Sequence, residues 1–223
     1  MSTLSELQVI VARALRDVSN EVFSTADLTD MINSGITVVS NMAPRQYMED
    51  IESTGESTYA PLDGAADERL ELRRVEIWTS DLGSPAAADL FQCRVPPAAA
   101  EYSNESQAGW DLWGGTLYLP KYYADLATSG NYFIRIWGYA PFTELVNSDD
   151  DDDLTNETRF AVVSYATMVG YERLEGDRAL FQKWQAQQRG TDASVASLMN
   201  VLASERQRWE RLRRQLIVLR ERP

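Results

Sequence analysis

Apolar side chains recur every three or four residues over the first forty positions, which predicts two amphipathic helices. One apolar face comprises Leu4, Leu7, Val11, Ala14, Leu15 and Val18. The other comprises Leu28, Met31, Ile32, Gly35, Ile36, Val39 and Met42. Thr3 with Glu6 has the spacing of a capping box, and Ser24 with Asp27 offers a second N-terminal cap. Pro44 is expected to stop the second helix or to follow its end closely, so the pattern predicts an antiparallel helical pair.

The middle of the chain changes from an irregular segment to a strand-like pattern. Residues 45–69 contain Gly, Ser, Asp and Pro without a clear period, which predicts a long loop. Short apolar and aromatic runs then predict four or five strands, at 72–78, 90–95, 110–113, 116–119 and 132–139. The glycine pair at 114–115 has the spacing of a tight hairpin turn. A small β-rich unit between helices is therefore expected.

Helical periodicity returns after residue 154. Thr155 or Asn156 is expected to cap a helix with an apolar face of Phe160, Val163, Thr167, Gly170 and Tyr171. A shorter helix, containing Ala179, Leu180, Phe181, Trp184 and Ala186, is expected to end at Gly190. The last helix is expected to begin near Thr191 or Asp192 and run almost to Pro223.

The last helix carries a heptad-like seam. Its positions are Val195, Leu198, Leu202, Glu205, Trp209, Leu212, Leu216 and Leu219. A helix from 192 to 221 would be roughly 45 Å long, so its distal half is expected to project beyond shorter neighbours. The predicted fold is α+β: a helical bundle domain (1–45 and 146–190), an inserted β-rich domain (46–145) and an extended C-terminal helix that contacts a partner (191–223).

Charge is distributed unevenly along the 223 residues. Residues 1–157 carry 9 basic and 27 acidic side chains, a balance of −18, whereas residues 158–223 carry a balance of +5. Of the 21 basic residues, 19 are Arg, which favours planar, bidentate contacts over loose solvation. An acidic body with a basic C-terminal segment predicts a protein partner for that segment rather than nucleic acid held by the whole molecule.

Composition restricts the chemistry that the chain could perform. It has no histidine, which excludes Ser-His-Asp and Cys-His catalysis and every His-containing metal site. A single cysteine, Cys93, excludes an internal disulfide and a cysteine-cluster metal site. No signal peptide or membrane-spanning segment is evident. We therefore expect a soluble protein made in a cytoplasm, without enzymatic activity, cofactor or metal.

Five consecutive acidic residues precede the helix expected at Thr155. They are Asp149, Asp150, Asp151, Asp152 and Asp153. Carboxylates are suitable calcium ligands, but the spacing and the glycine of an EF-hand loop are missing. The run is therefore predicted to be a solvated acidic loop.

Aromatic residues concentrate in the β-rich region. They are Trp110, Trp113, Tyr118, Tyr122, Tyr123, Tyr132, Trp137 and Tyr139. Core packing is the expected role, and a carbohydrate-binding surface is the alternative. A carboxylate pair such as Glu101 with Asp111 would suit a glycosidase, but the sequence does not determine their separation.

The distal part of the last helix combines apolar residues with arginines. The predicted partner interface comprises Trp209, Leu212, Leu216, Arg208, Arg211, Arg213 and Arg214. A large aromatic surrounded by arginines is typical of an interface hot spot. In the alternative interpretation, Trp209 packs inside the protein's own bundle. Phosphate contacts by the arginines are a further alternative.

The order of elements resembles that of tailed-bacteriophage head-to-tail adaptor (connector) proteins. The resemblance rests on Gly-Thr-Leu-Tyr-Leu-Pro at 115–120, the aromatic run 132–142 ending in Trp-Gly-Tyr-Ala-Pro-Phe, Asp153-Leu154, and the apolar run 160–166. It covers roughly residues 1–45 and 110–190. Residues 46–109 and the C-terminal helix have no counterpart that we can match residue by residue.

The resemblance implies a structural role in the virion. Such adaptors form a ring, usually of twelve copies, beneath the portal protein, where they extend the DNA channel and join the capsid to the next neck or tail protein. Their C-terminal segment typically reaches the portal. DNA would pass through the lumen without specific binding, since an acidic wall repels it. The alternatives are another neck or tail-completion scaffold that assembles trimers or hexamers through the helical seam, and a carbohydrate-binding β-domain protein.

Overall fold

The computed structural model describes residues 2–59, 71–79, 90–97, 109–113, 116–126, 132–188 and 194–220. Over these residues the chain is a mixed α+β protein with a long C-terminal helix. The helices are α1 (Leu4–Ala14), α2 (Thr25–Met42), α3 (Lys121–Leu126), α4 (Asn156–Gly176), α5 (Arg178–Gln187) and α6 (Val195–Arg220). The strands are β1 (Arg45–Glu52), β2 (Thr58–Tyr59), β3 (Glu71–Thr79), β4 (Leu90–Val95), β5 (Asp111–Trp113), β6 (Thr116–Tyr118) and β7 (Tyr132–Ala140).

Two compact units share the chain. One consists of Met1–Pro44 and Phe142–Pro223, so it contains α1, α2, α4, α5 and α6. The other consists of Arg45–Pro141 and contains β1 to β7 and α3. The two ends of the chain thus build the helical unit, and the residues between them build the β unit.

The predicted helix caps are confirmed. The Thr3 hydroxyl accepts the Glu6 N–H at 3.3 Å, and the Glu6 carboxylate accepts the Thr3 N–H at 3.2 Å. Ser24 and Asp27 form the same reciprocal pair at the start of α2. Thr155 caps α4 by accepting an N–H three residues later. Each cap satisfies backbone donors that the first helical turn leaves unpaired.

Helix α4 is the central element of the helical unit, because α1, α2, α5 and α6 all contact it. Small side chains permit close approach: a Cβ at Gly170 would lie 2.6 Å from the Leu15 side chain, and a Cβ at Gly35 would lie 3.1 Å from a carbonyl oxygen of α4. A helix surrounded by neighbours buries more than one face. The single apolar face predicted for α4 is therefore wrong at Phe160, whose side chain is 47% exposed.

Side chains from α4 and α5 close the C-terminal end of α1. The Tyr171 hydroxyl donates to the Ala14 carbonyl at 2.8 Å, and the Trp184 indole N–H donates to the Leu15 carbonyl at 2.9 Å. Carbonyls at a helix end have no partner within the helix, so these bonds pair acceptors that would otherwise be buried alone. Because α1 ends at Ala14, Val18 lies beyond the helix and is 73% exposed, contrary to its predicted place on the apolar face.

The β unit contains two antiparallel sheets. The larger has the strand order β1-β7-β3-β4, and the smaller has the order β2-β6-β5. The predicted strands at 72–78, 90–95, 110–113, 116–119 and 132–139 correspond to β3, β4, β5, β6 and β7. Trp113 pairs with Thr116, as a two-residue hairpin connection requires; the glycine pair 114–115 lies outside the described residues.

The loop predicted for 45–69 is wrong where β1 and β2 lie, and α3 was not predicted. In β1 only every second side chain is partly buried, and these include Tyr47, Glu49 and Ile51. A strand whose inward positions include a carboxylate has a weak hydrophobic period, so the sequence pattern did not reveal it. Residues 60–70 lie outside the described part of the chain, as do Gly190 and the expected start of the last helix at 191–192.

One face of the larger sheet forms the core of the β unit. Val75, Ile77, Val95, Ile134 and Ile136 are fully buried there. Tyr59, Leu117 and Leu119, from β2, β6 and the residue after β6, belong to the same core. The opposite face of the larger sheet therefore carries the remaining side chains of β1, β7, β3 and β4, since neighbouring residues of a strand point to opposite faces.

Candidate partner interfaces

Helix α6 packs along α4 through the predicted seam. Leu198, Leu202, Trp209 and Leu216 are buried in the core of the helical unit. Trp209 is 6% exposed and makes an edge-to-face contact with Tyr165 of α4, with ring centroids 5.0 Å apart. The predicted partner anchors Trp209 and Leu216 are thus core residues, and Leu212 is half-buried. The alternative, that Trp209 packs inside the protein's own bundle, is what the contacts show.

Charged residues of α6 also attach it to α4. Arg206 lies 3.0 Å from the Glu172 carboxylate and 3.6 Å from that of Glu175. The Arg208 guanidinium lies 4.5 Å from the centroid of the Phe160 ring, a cation–π distance. Arg206 and Arg208 therefore both hold α6 against α4. The described part of residues 191–223 belongs to the helical unit, so the projecting extension predicted for it is not observed.

Three of the predicted interface arginines remain on the surface of α6. Arg211, Arg213 and Arg214 are exposed, and Arg213 forms a pair with Glu210 at 3.3 Å with both side chains half in solvent. Ile217 is exposed next to them, three and four residues after Arg214 and Arg213. The exposed combination of arginines with an apolar side chain is therefore centred on Ile217 rather than Trp209.

Some carboxylates of the acidic run accept hydrogen bonds from neighbouring residues. Asp150 accepts the N–H groups of Asn147 and Val146, each at 2.7 Å, and these bonds hold the pKa of the Asp150 carboxyl below its usual value. Asp153 accepts from Thr143, whereas Asp149 and Asp151 are exposed. The prediction of a solvated loop is thus correct for Asp149 and Asp151 only.

Asp152 contradicts the predicted solvated loop most clearly, because only 1% of its surface is exposed. It receives two hydrogen bonds of 2.7 Å from the Arg159 guanidinium, which raises the pKa of Arg159. A buried carboxylate is retained when it is paired and hydrogen-bonded. This pair connects the acidic run to the first turn of α4. Among the described residues no group of three Asp, Glu, Cys or His side chains could hold a metal ion.

The outer face of the larger sheet carries a network of carboxylates, arginines and aromatic rings that sequence analysis did not identify. Glu76, only 7% exposed, accepts the indole N–H of Trp78 at 3.0 Å and that of Trp137 at 3.1 Å. Its other oxygen lies 2.9 Å from Arg74. Arg135 forms two bonds with Asp50, at 2.7 and 2.8 Å. In the sequence, the alternation of charged and aromatic residues in β3 and β7 was the signal that could have identified this network.

Guanidinium groups cover the rings of this face. Arg74 lies 4.6 Å from the Trp137 centroid, and Arg135 lies 4.7 Å from that of Trp78. A carbohydrate-binding platform needs an aromatic ring face that is free to stack against a sugar. Because arginines occupy faces of these two tryptophans, the arrangement favours a rigid charged and aromatic protein surface over a sugar-binding one.

Comparison with known proteins adds no assignment to these surfaces. No protein-family model matches the chain, and no curated protein matches it significantly. No helix in the described residues combines the length and apolarity that crossing a membrane requires. The geometry thus provides two candidate surfaces for a partner: the distal arginines of α6 around Ile217, and the larger sheet with its polar outer face.

Proposed function

We propose that this chain is a structural virion protein, a head-to-tail adaptor of a tailed bacteriophage, in the neck between capsid and tail. In this role it forms a homo-oligomeric ring, of twelve copies in the family that it resembles, below the portal protein. The ring extends the DNA channel and receives the next neck or tail protein. The supporting observation is the chain order: α1 and α2, then the β unit, then the long α4 that packs back on α2.

The proposed domain arrangement is a helical bundle with an inserted β-rich domain. The composition of the helical unit, from Met1–Pro44 and Phe142–Pro223, supports this description. An insertion between two helices that contact each other leaves the bundle core intact, because α2 and α4 bury their apolar residues together. The β unit is then available for contacts between copies or with a neck protein.

The distal end of α6 is proposed to contact the portal. Arg211, Arg213 and Arg214 present guanidinium groups that can bind carboxylates in a bidentate manner. Ile217 supplies an apolar side chain beside them. Arg208 and Trp209 contribute by holding α6 against Phe160 and Tyr165 of α4.

A non-enzymatic role around DNA is consistent with the charge distribution. Residues 1–157 carry a balance of −18, and an acidic surface repels the phosphate backbone. We propose that the duplex passes through the ring lumen without specific contacts. Synthesis in the host cytoplasm and incorporation into the virion complete the proposal, with no cofactor involved.

One feature of α6 weighs against the alternative scaffold role. A trimeric or hexameric coiled coil needs its apolar seam exposed in the single copy. Here Leu198, Leu202, Trp209 and Leu216 are buried within the chain itself. Assembly through this seam would require α6 to leave α4.

The experiment that tests the adaptor role is binding to purified portal rings of the source phage. We expect the wild-type chain to form a complex whose mass corresponds to an adaptor ring on a portal ring, visible by electron microscopy as a second tier. The triple variant Arg213→Ala/Arg214→Ala/Ile217→Ala should bind about tenfold to a hundredfold more weakly, since each exposed contact contributes roughly 0–1 kcal/mol.

The matched control is Arg178→Ala, an exposed arginine at the start of α5. It should bind portal rings like the wild type. Absence of any wild-type complex with portal rings, together with a folded chain by circular dichroism, would refute the adaptor assignment. Equal binding by the triple variant would refute only the proposed portal contact.

A further inference from the structure

Helix α1 presents a further surface to the solvent, on the side that faces away from the core of the helical unit. Four buried apolar residues attach the helix to that core. The side chains on its outer side are exposed, and they comprise Ser5, Glu6, Val9, Ile10, Arg13 and Ala14. Val9 is 45% exposed and Ile10 is 42% exposed. Two neighbouring apolar side chains thus remain in solvent at the middle of α1.

The conformation of α1 does not account for this apolar pair. β-Branched residues have a lower helix propensity than unbranched ones, and an exposed position offers them no packing in return. The charged residues of the same side do have a local role, because Glu6 completes the capping box with Thr3, and Arg13 lies in the last turn. Both charges are favourable at those ends of a helix dipole. The exposed Val9 and Ile10 are therefore the feature that indicates contact with a partner.

The exposed side of α1 is complementary to a reversed copy of itself. Glu6 and Arg13 are seven positions apart, almost two full turns, so they lie on one line along the helix. Val9 and Ile10 lie between them, on opposite sides of that line. Reversal of the helix about its midpoint places Arg13 at the height of Glu6 and Ile10 at the height of Val9. When two copies meet antiparallel, each charge of this face is therefore opposite a charge of the other sign.

The two charged residues are available for such a contact. Arg13 is exposed and forms no ion pair with any residue that the structure describes. The capping box uses one oxygen of Glu6, Oε2, so the other oxygen can accept from a guanidinium. Arg159, whose charge also interacts with Glu6, already has two hydrogen bonds to Asp152. Pairing Glu6 with Arg13 of a second copy therefore requires none of these hydrogen bonds to break.

From this self-complementarity we propose that α1 pairs antiparallel with α1 of a second copy of this chain, about a two-fold axis at the midpoint between Val9 and Ile10. Glu6 of each copy then lies opposite Arg13 of the other. Val9 meets its own counterpart on one side of these ion pairs, and Ile10 meets its counterpart on the other side. A parallel pair would oppose Glu6 to Glu6 and Arg13 to Arg13, and it would align the two helix dipoles.

The size and the symmetry of the contact determine what it forms. Helix α1 has 11 residues and is about 16 Å long, so a pair of these helices buries less than the roughly 1,200 Å² of a standard stable interface. Association is therefore expected at high protein concentration. A two-fold contact closes on itself and forms a dimer, which makes it separate from the contacts around the proposed ring. The pairing goes beyond the proposed function and does not depend on it.

Cross-linking close to the two-fold axis tests the pairing. The variant is Ile10→Cys in a Cys93→Ser background, since Cys93 is the chain's single cysteine. Under oxidation with copper-phenanthroline, at high protein concentration and about 0.15 M salt, we expect disulfide-linked dimers on a non-reducing gel and no higher species. The control is Ser34→Cys in the same background, at an exposed position of α2. Its dimer should form about tenfold more slowly or not at all, because no proposed contact holds two copies together there.

Charge reversal tests the antiparallel register. Because the two-fold axis repeats the ion pair, Glu6→Arg or Arg13→Glu turns two attractive pairs into two repulsive ones. Each variant, in the cross-linking background, should form dimers about tenfold more slowly than its parent. A mixture of the two variants places an arginine opposite a glutamate at both positions, so its rate should rise well above that of either variant alone. Mixing would not reverse damage to the fold of α1, so this rise is specific to the pairing.

The pairing would be overturned if Ile10→Cys, in folded protein at the highest soluble concentration, formed dimers no faster than Ser34→Cys. Charge variants that dimerise like their parent, or a mixture as slow as its two components, would overturn the antiparallel register. Protection of the introduced thiol against a maleimide by portal rings, without self-cross-linking, would assign this face to the portal and overturn the homodimer. Dimers of a chain that does not bind portal rings would sustain the pairing and refute only the adaptor role.

Discussion

The two units of this protein use their polar residues in opposite ways. In the helical unit polar side chains complete the backbone: Tyr171 and Trp184 satisfy carbonyls at the end of α1, and Asp150 satisfies two amides before α4. In the β unit the larger sheet buries one apolar face and lays a charged and aromatic network over the other. Polar side chains thus satisfy backbone groups in the helical unit, whereas in the β unit they form a network on the outer face of the larger sheet.

This difference indicates where substitutions should cost stability and where they should change contacts. The stability of the helical unit comes mainly from core packing. Substitution of its exposed arginines should therefore have little effect on the free energy of unfolding. One face of the larger sheet is covered by the core of the β unit, and the network on its outer face should contribute to stability through its hydrogen bonds and ion pairs. The predictions below test this contrast, beginning with the largest expected effect.

Trp209→Ala is expected to destabilise the isolated chain by about 3–5 kcal/mol, because it removes a buried indole and leaves a cavity beside Tyr165. The matched variant is Trp137→Ala on the half-exposed sheet face, with an expected loss of roughly 1–2 kcal/mol from one hydrogen bond and one cation–π contact. Urea denaturation of both variants measures the difference. Equal losses would contradict the contrast between a packed core and a partly open network.

Asp152→Ala is expected to cost about 2–3 kcal/mol, since it leaves the Arg159 guanidinium without its buried partner. This value lies below the range for fully buried pairs because the Arg159 side chain is 18% exposed. Asp151→Ala, in the same acidic run but exposed, should change the free energy of unfolding by less than about 0.5 kcal/mol. Thermal melts distinguish the two variants. Similar effects would mean that Asp152 is as solvated as the sequence pattern predicted.

Glu76→Ala is expected to cost about 2 kcal/mol, because two indole N–H groups lose their common acceptor and Arg74 loses its ion-pair partner. Glu76→Gln keeps an acceptor oxygen and should cost less. Near-ultraviolet circular dichroism reports the tryptophans directly, and denaturation gives the free energy. The exposed Glu52→Ala should leave both measurements unchanged; a spectral change of the same size in that control would contradict the assignment to this network.

Tyr171→Phe is expected to cost about 1 kcal/mol at neutral pH through the lost hydrogen bond to Ala14. Burial raises the pKa of the Tyr171 hydroxyl, whereas an unfolded tyrosine ionises near pH 10. The folded state therefore binds the proton more tightly. This stabilisation is full below about pH 10 and is lost as pH rises through the folded pKa.

The measurement is the free energy of unfolding from neutral to strongly alkaline pH, compared between the wild type and Tyr171→Phe. The wild type should lose more stability on the alkaline side, so the difference between the two proteins should shrink there. A constant difference across the range would show that Tyr171 does not titrate with a raised pKa. Tyr122→Phe, at an exposed tyrosine, is the control.

Several features of the fold followed from local patterns. The caps at Thr3, Ser24 and Thr155 depend on side chains three residues from the amides that they bind, so sequence spacing reveals them. Strand β7 could be predicted because its inward positions are apolar and regularly spaced. Strand β1 escaped prediction because a carboxylate, Glu49, occupies one of its partly buried positions and weakens the apolar alternation.

What the sequence by itself determined was the alternation of helical and strand-forming segments, the starts of α1, α2 and α4, and the seam of α6. Only the tertiary structure decided what covers that seam, because the same apolar residues fit a second copy or the protein's own α4 equally well. It likewise decided that Asp152 is buried and Asp151 exposed, since this depends on the position of Arg159. Spacing along the chain specifies which residues share a face, whereas tertiary packing determines which residues that face contacts.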